Sequence, residues 1–311
     1  MTLRLIQARE LTSLLPMETA IVALGAAFAG PPRGAPPRTH VALNGSDLLL
    51  MPARGDGGIG VKLVTVNPDN PGRGLPLIHG AYVLFAPGTL ETVGIIDGAA
   101  LTGLRTAAVS GLATRLLARE DSRKAVIFGA GTQAHAHLDA MRAVRPIEAV
   151  TVVSRTAARA ERLVERARSL GLSAEAGEAQ SVTDADIVCT CTTSDKPVFD
   201  GSLLARGAHV NAVGAYRADA RELDERTIGG AQLVVVETRE SAMEEAGDIV
   251  LALASGAIAD AGDVAELEEV VDGRRSRQAA DDVTVFKSVG VAFEDLAVAR
   301  AAFDAVLEQE G

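Results

Sequence analysis

The sequence is poor in aromatic and cationic side chains. Aromatic residues make up 3% of its 311 residues, tryptophan is absent, and 41 acidic residues against 30 Lys and Arg give a net charge of −11. Nucleic-acid binders usually carry a basic stripe, and single-strand binders add aromatic stacking platforms. The composition therefore argues against a nucleic-acid partner.

Long apolar runs and widely spaced cysteines are also missing. No apolar run approaches the roughly eighteen residues of a membrane span, and residues 1–16 carry charges where a signal peptide needs a continuous apolar segment. Cys189 and Cys191 alternate in an apolar run that predicts a buried strand with both thiols on one face. We interpret them as reduced core residues of a cytoplasmic protein that contacts no membrane.

The second half of the chain alternates short apolar runs with helical patterns. This order predicts a doubly wound parallel sheet of the Rossmann type, in the α/β class. The predicted strands are Lys124–Phe128, Ala149–Val153, Ile187–Thr190, His209–Val213 and Leu233–Glu237, and the predicted helices are Thr132–Val144 and Ala157–Leu170.

The first part of the chain has a different pattern and predicts an N-terminal α+β domain. We place this substrate-binding and dimerisation domain at residues 1–115 and the Rossmann domain at 116–290. A last helix over Glu294–Leu307 either closes the Rossmann sheet or returns to the first domain, and we favour a first domain completed by residues 291–311. The candidate strands of this domain are Leu48–Met51, Ile59–Thr65 and Ala81–Phe85, and a helical region follows at Asp97–Leu117. Clusters of Pro and Gly separate these short strands, at Gly30–Pro37, Gly55–Gly60 and Pro68–Pro76.

A dinucleotide fingerprint lies where the first Rossmann strand is predicted to end. Gly129 would permit a tight turn, Gly131 would let the backbone approach a pyrophosphate, and Ala134 stands where helix and strand pack. The helix that begins at Thr132 and Gln133 offers free N–H groups and a positive dipole end to phosphates. The alternative is a glycine turn in an α/β domain that binds no nucleotide.

The residues after the second Rossmann strand indicate which dinucleotide is bound. NAD enzymes place an acid there for the ribose 2′-hydroxyl, whereas this chain has Ser154, Arg155 and Thr156. An arginine between two hydroxyl groups suits a 2′-phosphate, so the sequence favours NADP(H) over NAD(H). The alternative is that Arg155 lies over the adenine of NAD.

Two histidines near the fingerprint, His135 and His137, raise the question of a metal. Residues two apart on a helix point about 200° apart, unlike the i, i+4 histidines of a zinc helix. We therefore predict no metal site.

Several short motifs are spread over nearly the whole chain. They are Arg38 with Met51-Pro-Ala53, Gly60-Val-Lys62-Leu-Val-Thr65 with Asn67-Pro-Asp-Asn70, Leu101-Thr-Gly-Leu-Arg105-Thr-Ala-Ala108, Gly129-Ala-Gly131, Phe286-Lys-Ser-Val-Gly290 and Glu294-Asp-Leu-Ala297. Together they resemble the ornithine cyclodeaminase and mu-crystallin family. The resemblance implies hydride transfer at the α-carbon of an amino or imino acid, and a homodimer formed through the first domain.

The resemblance also implies a substrate site. Residues matching Arg38, Lys62 and Arg105 face the substrate carboxylate and nitrogen, which agrees with the fork of donors that Arg offers a carboxylate. Hydride transfer is expected across the cleft between the domains. Because ligands gather at the carboxyl ends of parallel strands, we expect further residues to line the nicotinamide side. These are Thr192, Thr193, Ser194, Ser288 and Gly290.

Departures from the family pattern bear on the reaction. A glutamate of the cyclodeaminase is replaced by Leu49, and the position of its catalytic aspartate is occupied by Tyr216. We therefore predict a reductase of a cyclic or N-substituted α-imino acid, or the corresponding amino-acid dehydrogenase in reverse. Two alternatives stay open: an ornithine cyclodeaminase, in which Asp219 would reach the site, and a non-catalytic protein that binds NADPH and a small ligand.

Overall fold

A computed structural model describes residues 3–30, 36, 38–55 and 57–310 of the chain. Most of the Pro- and Gly-rich cluster at residues 30–37 lies outside the described residues. The chain divides into two compact units, Met1–Arg105 with Val291–Gly311, and Thr106–Gly290. The two units share one long helix, since the division falls inside it.

The first unit is built on a six-stranded sheet in the order β1-β6-β5-β4-β3-β2. Only β1 and β6 are parallel, and the remaining neighbours are antiparallel. The strands are β1 (Arg4–Ile6), β2 (Thr39–Leu43), β3 (Ser46–Gly55), β4 (Gly58–Val66), β5 (Ile78–Phe85) and β6 (Thr92–Asp97).

In the described part of this unit, four helices accompany the sheet: α1 (Ala8–Leu14), α2 (Met17–Ala29), α3 (Gly98–Leu117) and the C-terminal α10 (Ala292–Glu310). Of the two places the sequence left open for the last helix, α10 occupies the first unit, where it packs on α2 and on β3, β4 and β5. Phe28 and Phe293 meet edge to face with ring centroids 4.9 Å apart. Among the described helices none is by itself long and apolar enough to cross a bilayer, and the bent pair α1–α2 passes that test by length and composition only.

The second unit is an eight-stranded, fully parallel sheet in the order β13-β12-β14-β11-β10-β7-β8-β9. Its strands are β7 (Lys124–Phe128), β8 (Ala149–Val153), β9 (Ser173–Ala176), β10 (Ile187–Thr190), β11 (His209–Ala212), β12 (Leu233–Val236), β13 (Ala265–Glu266) and β14 (Thr284–Lys287). Its helices are α4 (Thr132–Val144), α5 (Ala157–Ser169), α6 (Glu225–Gly230), α7 (Arg239–Glu245), α8 (Gly247–Ser255) and α9 (Leu267–Val271).

The predicted fold class is therefore confirmed. All five strands predicted for this sheet are present. They could be recognised in the sequence because a strand buried on both faces appears as a continuous apolar run. No strand was predicted at β14, although β14 lies between β11 and β12 in the middle of the sheet. β14 has four residues, begins with threonine and ends with lysine, so its apolar run is too short to predict a strand by itself.

The division between the units differs from the boundary drawn at residue 115. Residues 106–115 continue α3 without a break but pack with the second unit. There the Ser110 hydroxyl lies 2.9 Å from His137 Nε2, and the Thr114 hydroxyl accepts a hydrogen bond from Asn211 Nδ2 at 2.9 Å. These buried polar contacts tie the second half of α3 to α4 and β11.

Candidate active site

A pocket of about 370 Å³ lies at the carboxyl ends of β7, β8 and β10 in the second unit. Here β7 stands between β8 and β10, so chain connections leave it in opposite directions. Ligands of open parallel sheets bind at such a switch point. The lining residues are Phe128, Gly129, Ala130, Gly131, Val153, Ser154, Arg155, Thr156, Arg159, Cys191, Thr192, Thr193, Ser194 and Val198.

The two fingerprint glycines have different functions in this pocket. Gly129 has a φ of +100°, and a Cβ there would lie 2.4 Å from the Cys191 carbonyl oxygen, so the turn itself requires glycine. Gly131 has an extended backbone at the N-cap of α4, and a Cβ there would meet no atom within 4 Å. The residues fit a dinucleotide, because Gly131 leaves open space directly before the N–H groups of α4.

Eight of the residues predicted to bind the cofactor line this pocket and four do not. Thr132 and Gln133 begin α4 outside its lining. Ser288 and Gly290 follow β14 and instead contact Glu237, whose Oε1 accepts hydrogen bonds from Ser288 Oγ at 2.5 Å and from the Gly290 amide at 2.9 Å. The Ser288 hydroxyl and the Gly290 amide are thus directed at the end of β12 rather than at the pocket.

Two lining residues differ from the predictions made from the sequence. Arg159 in the first turn of α5 joins Arg155, and within the described ranges neither guanidinium forms an ion pair. The signal was a second arginine four residues after Arg155. Cys191, predicted to be a core residue, is partly exposed at the pocket, and burial and the neighbouring Cys189 raise the pKa of its thiol.

A second group of polar residues is buried in the first unit. Lys62 on β4 pairs in register with Met51 on β3 and Tyr82 on β5, and it is 2% exposed. Its Nζ lies 2.7 Å from Asp295 Oδ2 in the first turn of α10. Arg105 on α3 contacts the same turn, with Nη1 3.1 Å from Glu294 Oε2 and Nε 3.3 Å from Asp295 Oδ1.

This cluster changes the protonation of Lys62. Burial lowers the pKa of Lys62 from 10.5 to about 8; the negative charge of Asp295 opposes this shift, whereas Arg105 and Arg38 add to it. The structure therefore brings Lys62 and Arg105 together on one carboxylate, and the charge of Arg38 acts on Lys62. A lysine with this pKa can hold a proton at neutral pH and release it without a large cost.

The acidic members of this cluster and Tyr82 were not predicted as site residues. Glu294 and Asp295 belong to a motif noted in the sequence, and two acids at the start of a predicted helix were the available signal. Tyr82 Oη is buried and finds no hydrogen-bond partner among the described residues. Burial and the charge of Asp295 raise the pKa of the Tyr82 hydroxyl.

The histidines beside the fingerprint take structural positions. His137 is buried, its Nδ1 lies 2.8 Å from the Gln133 carbonyl oxygen, and burial lowers the pKa of its imidazole to about 4. His135 is half-buried on the same helix. Across the described ranges, no group of three or more His, Cys, Asp or Glu side chains is placed to hold a metal ion.

The fold and the first of these sites define the class of protein. A parallel sheet with a glycine fingerprint at its switch point is a Rossmann-type dinucleotide-binding unit, and here it is joined to a sheet unit that buries a cationic cluster. The chain belongs to the ornithine cyclodeaminase/mu-crystallin family, whose model matches residues 3–310.

Similar proteins agree with this assignment. A Δ1-pyrroline-2-carboxylate reductase of Bacillus cereus is 37% identical over 270 residues, which are 84% of this chain and 82% of that protein. The structure of Thermococcus litoralis Δ1-pyrroline-2-carboxylate reductase in complex with NADH and L-proline has a TM-score of 0.93 at 34% identity, over 99% of this chain and 98% of that one. An archaeal alanine dehydrogenase dimer with bound NAD also has a TM-score of 0.93, at 32% identity over 100% and 98%.

Proposed function

We propose that this protein reduces a cyclic or N-substituted α-imino acid with NADPH, and oxidises the corresponding amino acid in reverse. Its family makes it an NAD(P)-dependent oxidoreductase of imino or amino acids. The observation that carries the proposal is a buried cluster in which two cations share one carboxylate: Lys62 Nζ lies 2.7 Å from Asp295 Oδ2, and Arg105 Nε lies 3.3 Å from Asp295 Oδ1. A small anionic substrate with a basic nitrogen matches that arrangement of charges.

The residues of the first unit have separate tasks on the substrate. Arg38 and Arg105 hold its carboxylate, since a guanidinium offers five N–H donors and Arg105 is oriented by Glu294 and Asp295. Lys62 holds a proton at Nζ and delivers it to the nitrogen, while Asp295 keeps Nζ in place at 2.7 Å. When bound, the nicotinamide supplies or accepts the hydride at the substrate α-carbon.

Reduction is favoured over cyclodeamination by the residues that replace the cyclodeaminase acids. Leu49 is an aliphatic residue on β3, where the cyclodeaminase has a glutamate. Tyr216 is 46% exposed after β11. The carboxylate of Asp219 is exposed as well and is paired with Arg217 at 2.9 Å, so it is engaged at the surface of its own loop.

A substrate panel tests the proposal. We expect oxidation of the reduced cofactor with pyrroline-2-carboxylate, piperideine-2-carboxylate or pyruvate plus methylamine, and no ammonia from ornithine with NAD. Ornithine-dependent ammonia release would identify a cyclodeaminase. Tight binding of NADPH without turnover of any panel member would identify a binding protein.

The two solved relatives above hold NADH and NAD, so they do not support a preference for NADP(H). The proposed preference therefore rests on Arg155. Arg155 and Arg159 line the pocket next to the hydroxyls of Ser154 and Thr156, an arrangement suited to a 2′-phosphate. Arg155→Ala should raise the KM for NADPH by about 10- to 150-fold, the equivalent of one charged hydrogen bond of about 1.5–3 kcal/mol, and leave the KM for NADH within twofold.

Arg162→Ala, on an exposed position of α5 outside the pocket lining, is the matched control for this variant and should change neither KM. A wild-type enzyme that prefers NADH, or an equal loss for both cofactors in Arg155→Ala, would refute the NADP(H) preference.

We also propose that the protein is a homodimer through the sheet of the first unit. The sheet face opposite Lys62 and α10 presents an apolar row that crosses five strands and is half-buried or exposed, ending at Leu5, which is 64% exposed. Contiguous apolar surface of this kind marks interaction sites. The row consists of Pro52, Val61, Val83, Ile95 and Leu5.

A charge in the middle of this row should separate the subunits. Val83→Asp buries an unpaired carboxylate in the dimer but leaves it hydrated in the monomer, so analytical ultracentrifugation should show a dimer for the wild type and a monomer for the variant. Val22→Asp, at an exposed position on α2, is the control and should stay dimeric. A monomeric wild type at micromolar concentration would contradict the proposal.

A further inference from the structure

Glu222 is a fully buried carboxylate that has no part in the substrate or cofactor roles proposed above. Four donors surround it: Oε1 accepts from the Thr192 amide at 2.7 Å and the Thr192 hydroxyl at 2.6 Å, and Oε2 accepts from the Gly214 amide at 2.7 Å and the Thr190 hydroxyl at 2.9 Å. These donors come from the ends of β10 and β11, which are neighbours in the sheet. One side chain thus joins the carboxyl ends of two parallel strands.

The backbone of Glu222 is itself held by a second buried carboxylate. Asp248 Oδ1 accepts from the Glu222 and Leu223 amides, both at 2.8 Å, and Asp248 Oδ2 lies 2.7 Å from Lys287 Nζ. Lys287, at the end of β14, also donates to the Ala215 carbonyl oxygen at 2.5 Å. Burial raises the pKa of the Glu222 carboxyl, while the charge of Lys287 and the bonds from Thr192 oppose this shift.

The strand end that Glu222 holds is a wall of the dinucleotide pocket. Thr192, Thr193 and Ser194 line that pocket on the side of β10, whereas Ser154 and Arg155 line it on the side of β8. The Thr192 hydroxyl, fixed by Glu222, also accepts a hydrogen bond from the Ser194 amide at 3.1 Å. Contacts therefore run without a gap from Glu222 through Thr192 to Ser194.

We propose that Glu222 is a positioning residue that sets the β10 wall of the pocket, residues 192–194, for the nicotinamide half of the cofactor. This inference rests on the proposed function, in which the pocket holds a nicotinamide dinucleotide. Glu222 acts through Thr192 and does not itself touch the ligand. The adenosine half, next to Ser154 and Arg155, does not depend on it.

The geometry requires a carboxylate and cannot be met by glutamine. Each Glu222 oxygen accepts from one backbone amide, Oε1 from Thr192 and Oε2 from Gly214, and a backbone amide cannot turn away. In either orientation, the NH2 group of a glutamine would face one of these N–H donors. Glu222→Gln must therefore release one of the two strand ends, although the side chain keeps its size.

Calorimetric titration of the full chain with NADPH, NADH and adenosine 2′,5′-bisphosphate tests this inference. Adenosine 2′,5′-bisphosphate is the probe for the adenosine half. We expect Glu222→Gln to weaken the dinucleotide that the wild type prefers by about tenfold or more, and to change the affinity for adenosine 2′,5′-bisphosphate by less than twofold. Glu225→Gln, three residues away and partnered at the surface by Arg221, is the matched control and should behave as wild type.

A variant with one donor fewer covers the case in which Glu222→Gln does not fold. Thr190→Val removes one hydroxyl from Oε2 without adding a donor, and should weaken the dinucleotide by about two- to fivefold with the bisphosphate unchanged. Unchanged dinucleotide affinity in both variants, or an equal loss for both ligands, would overturn the inference. If the wild type binds neither dinucleotide, the proposed function fails instead.

Discussion

Lys62→Met should lower kcat for imino-acid reduction by about 10²- to 10⁴-fold, the range over which a positioned proton donor accelerates a reaction. The KM for the imino acid should change much less, because the proton matters most in the transition state. Steady-state kinetics at saturating NADPH measures both constants. A kcat within threefold of wild type would remove Lys62 from the chemistry.

The pH dependence of the rate tests the same role of Lys62. If protonated Lys62 is the donor, kcat/KM for reduction should be level below its pKa of about 8 and fall tenfold per pH unit above it. Oxidation of the amino acid needs the neutral amine, so its profile should rise up to the same pH. The Met variant should lose this limb in both directions, whereas a limb that survives the substitution belongs to another group.

Stability must be separated from chemistry in this variant. Removing Lys62 leaves Arg105 as the remaining cationic partner of the buried Asp295 carboxylate among the described residues, and loss of one member of a buried pair costs about 3–5 kcal/mol. The double variant Lys62→Met, Asp295→Asn removes both charges and should melt closer to wild type while staying inactive. Lys124→Met, at the exposed start of β7, is the control and should change neither activity nor Tm.

Gly131→Val should abolish measurable dinucleotide binding while the protein keeps its fold and its Tm. A Cβ there has no atom of a non-adjacent residue within 4 Å, and the backbone is extended, so the added side chain enters the space into which a pyrophosphate would fit. We expect at least a hundredfold loss of affinity for NADPH and NADH by calorimetry, on the order of 3 kcal/mol of lost contacts.

Two other glycines provide the comparison for this result. Gly230→Val is also unobstructed, at the exposed end of α6, and should bind dinucleotide as the wild type does. Gly129→Val should instead lower the Tm, because its φ of +100° and the Cys191 carbonyl oxygen 2.4 Å from its Cβ leave no room in the protein itself. Unchanged affinity in folded Gly131→Val would place the phosphates elsewhere.

Elements whose signal is local could be predicted from the sequence. β7, β8, β10 and α4 have the predicted bounds, since a buried apolar run, a glycine turn and an amphipathic repeat each depend only on residues near one another in the chain. Short or edge elements could not be predicted. β13 has two residues and β2 is exposed along its whole length, so neither carries an apolar pattern that marks a strand.

The sequence by itself determined the class of fold, the position of the dinucleotide pocket and the identity of its fingerprint. Each of these follows from a local pattern: the alternation of strands and helices, the glycine turn after β7, and the residues that follow β8 and β10. It also supplied Lys62 and Arg105 as motif residues. Only the tertiary structure decided which carboxylates these cations meet: Glu294 is 189 positions from Arg105, and nothing local to either motif specifies that contact. The same holds for Glu222, which in the sequence is one acid among many. Its role depends on the ends of two parallel strands that both donate hydrogen bonds to it. Which strand ends lie side by side is decided by the assembly of the sheet and not by any one segment.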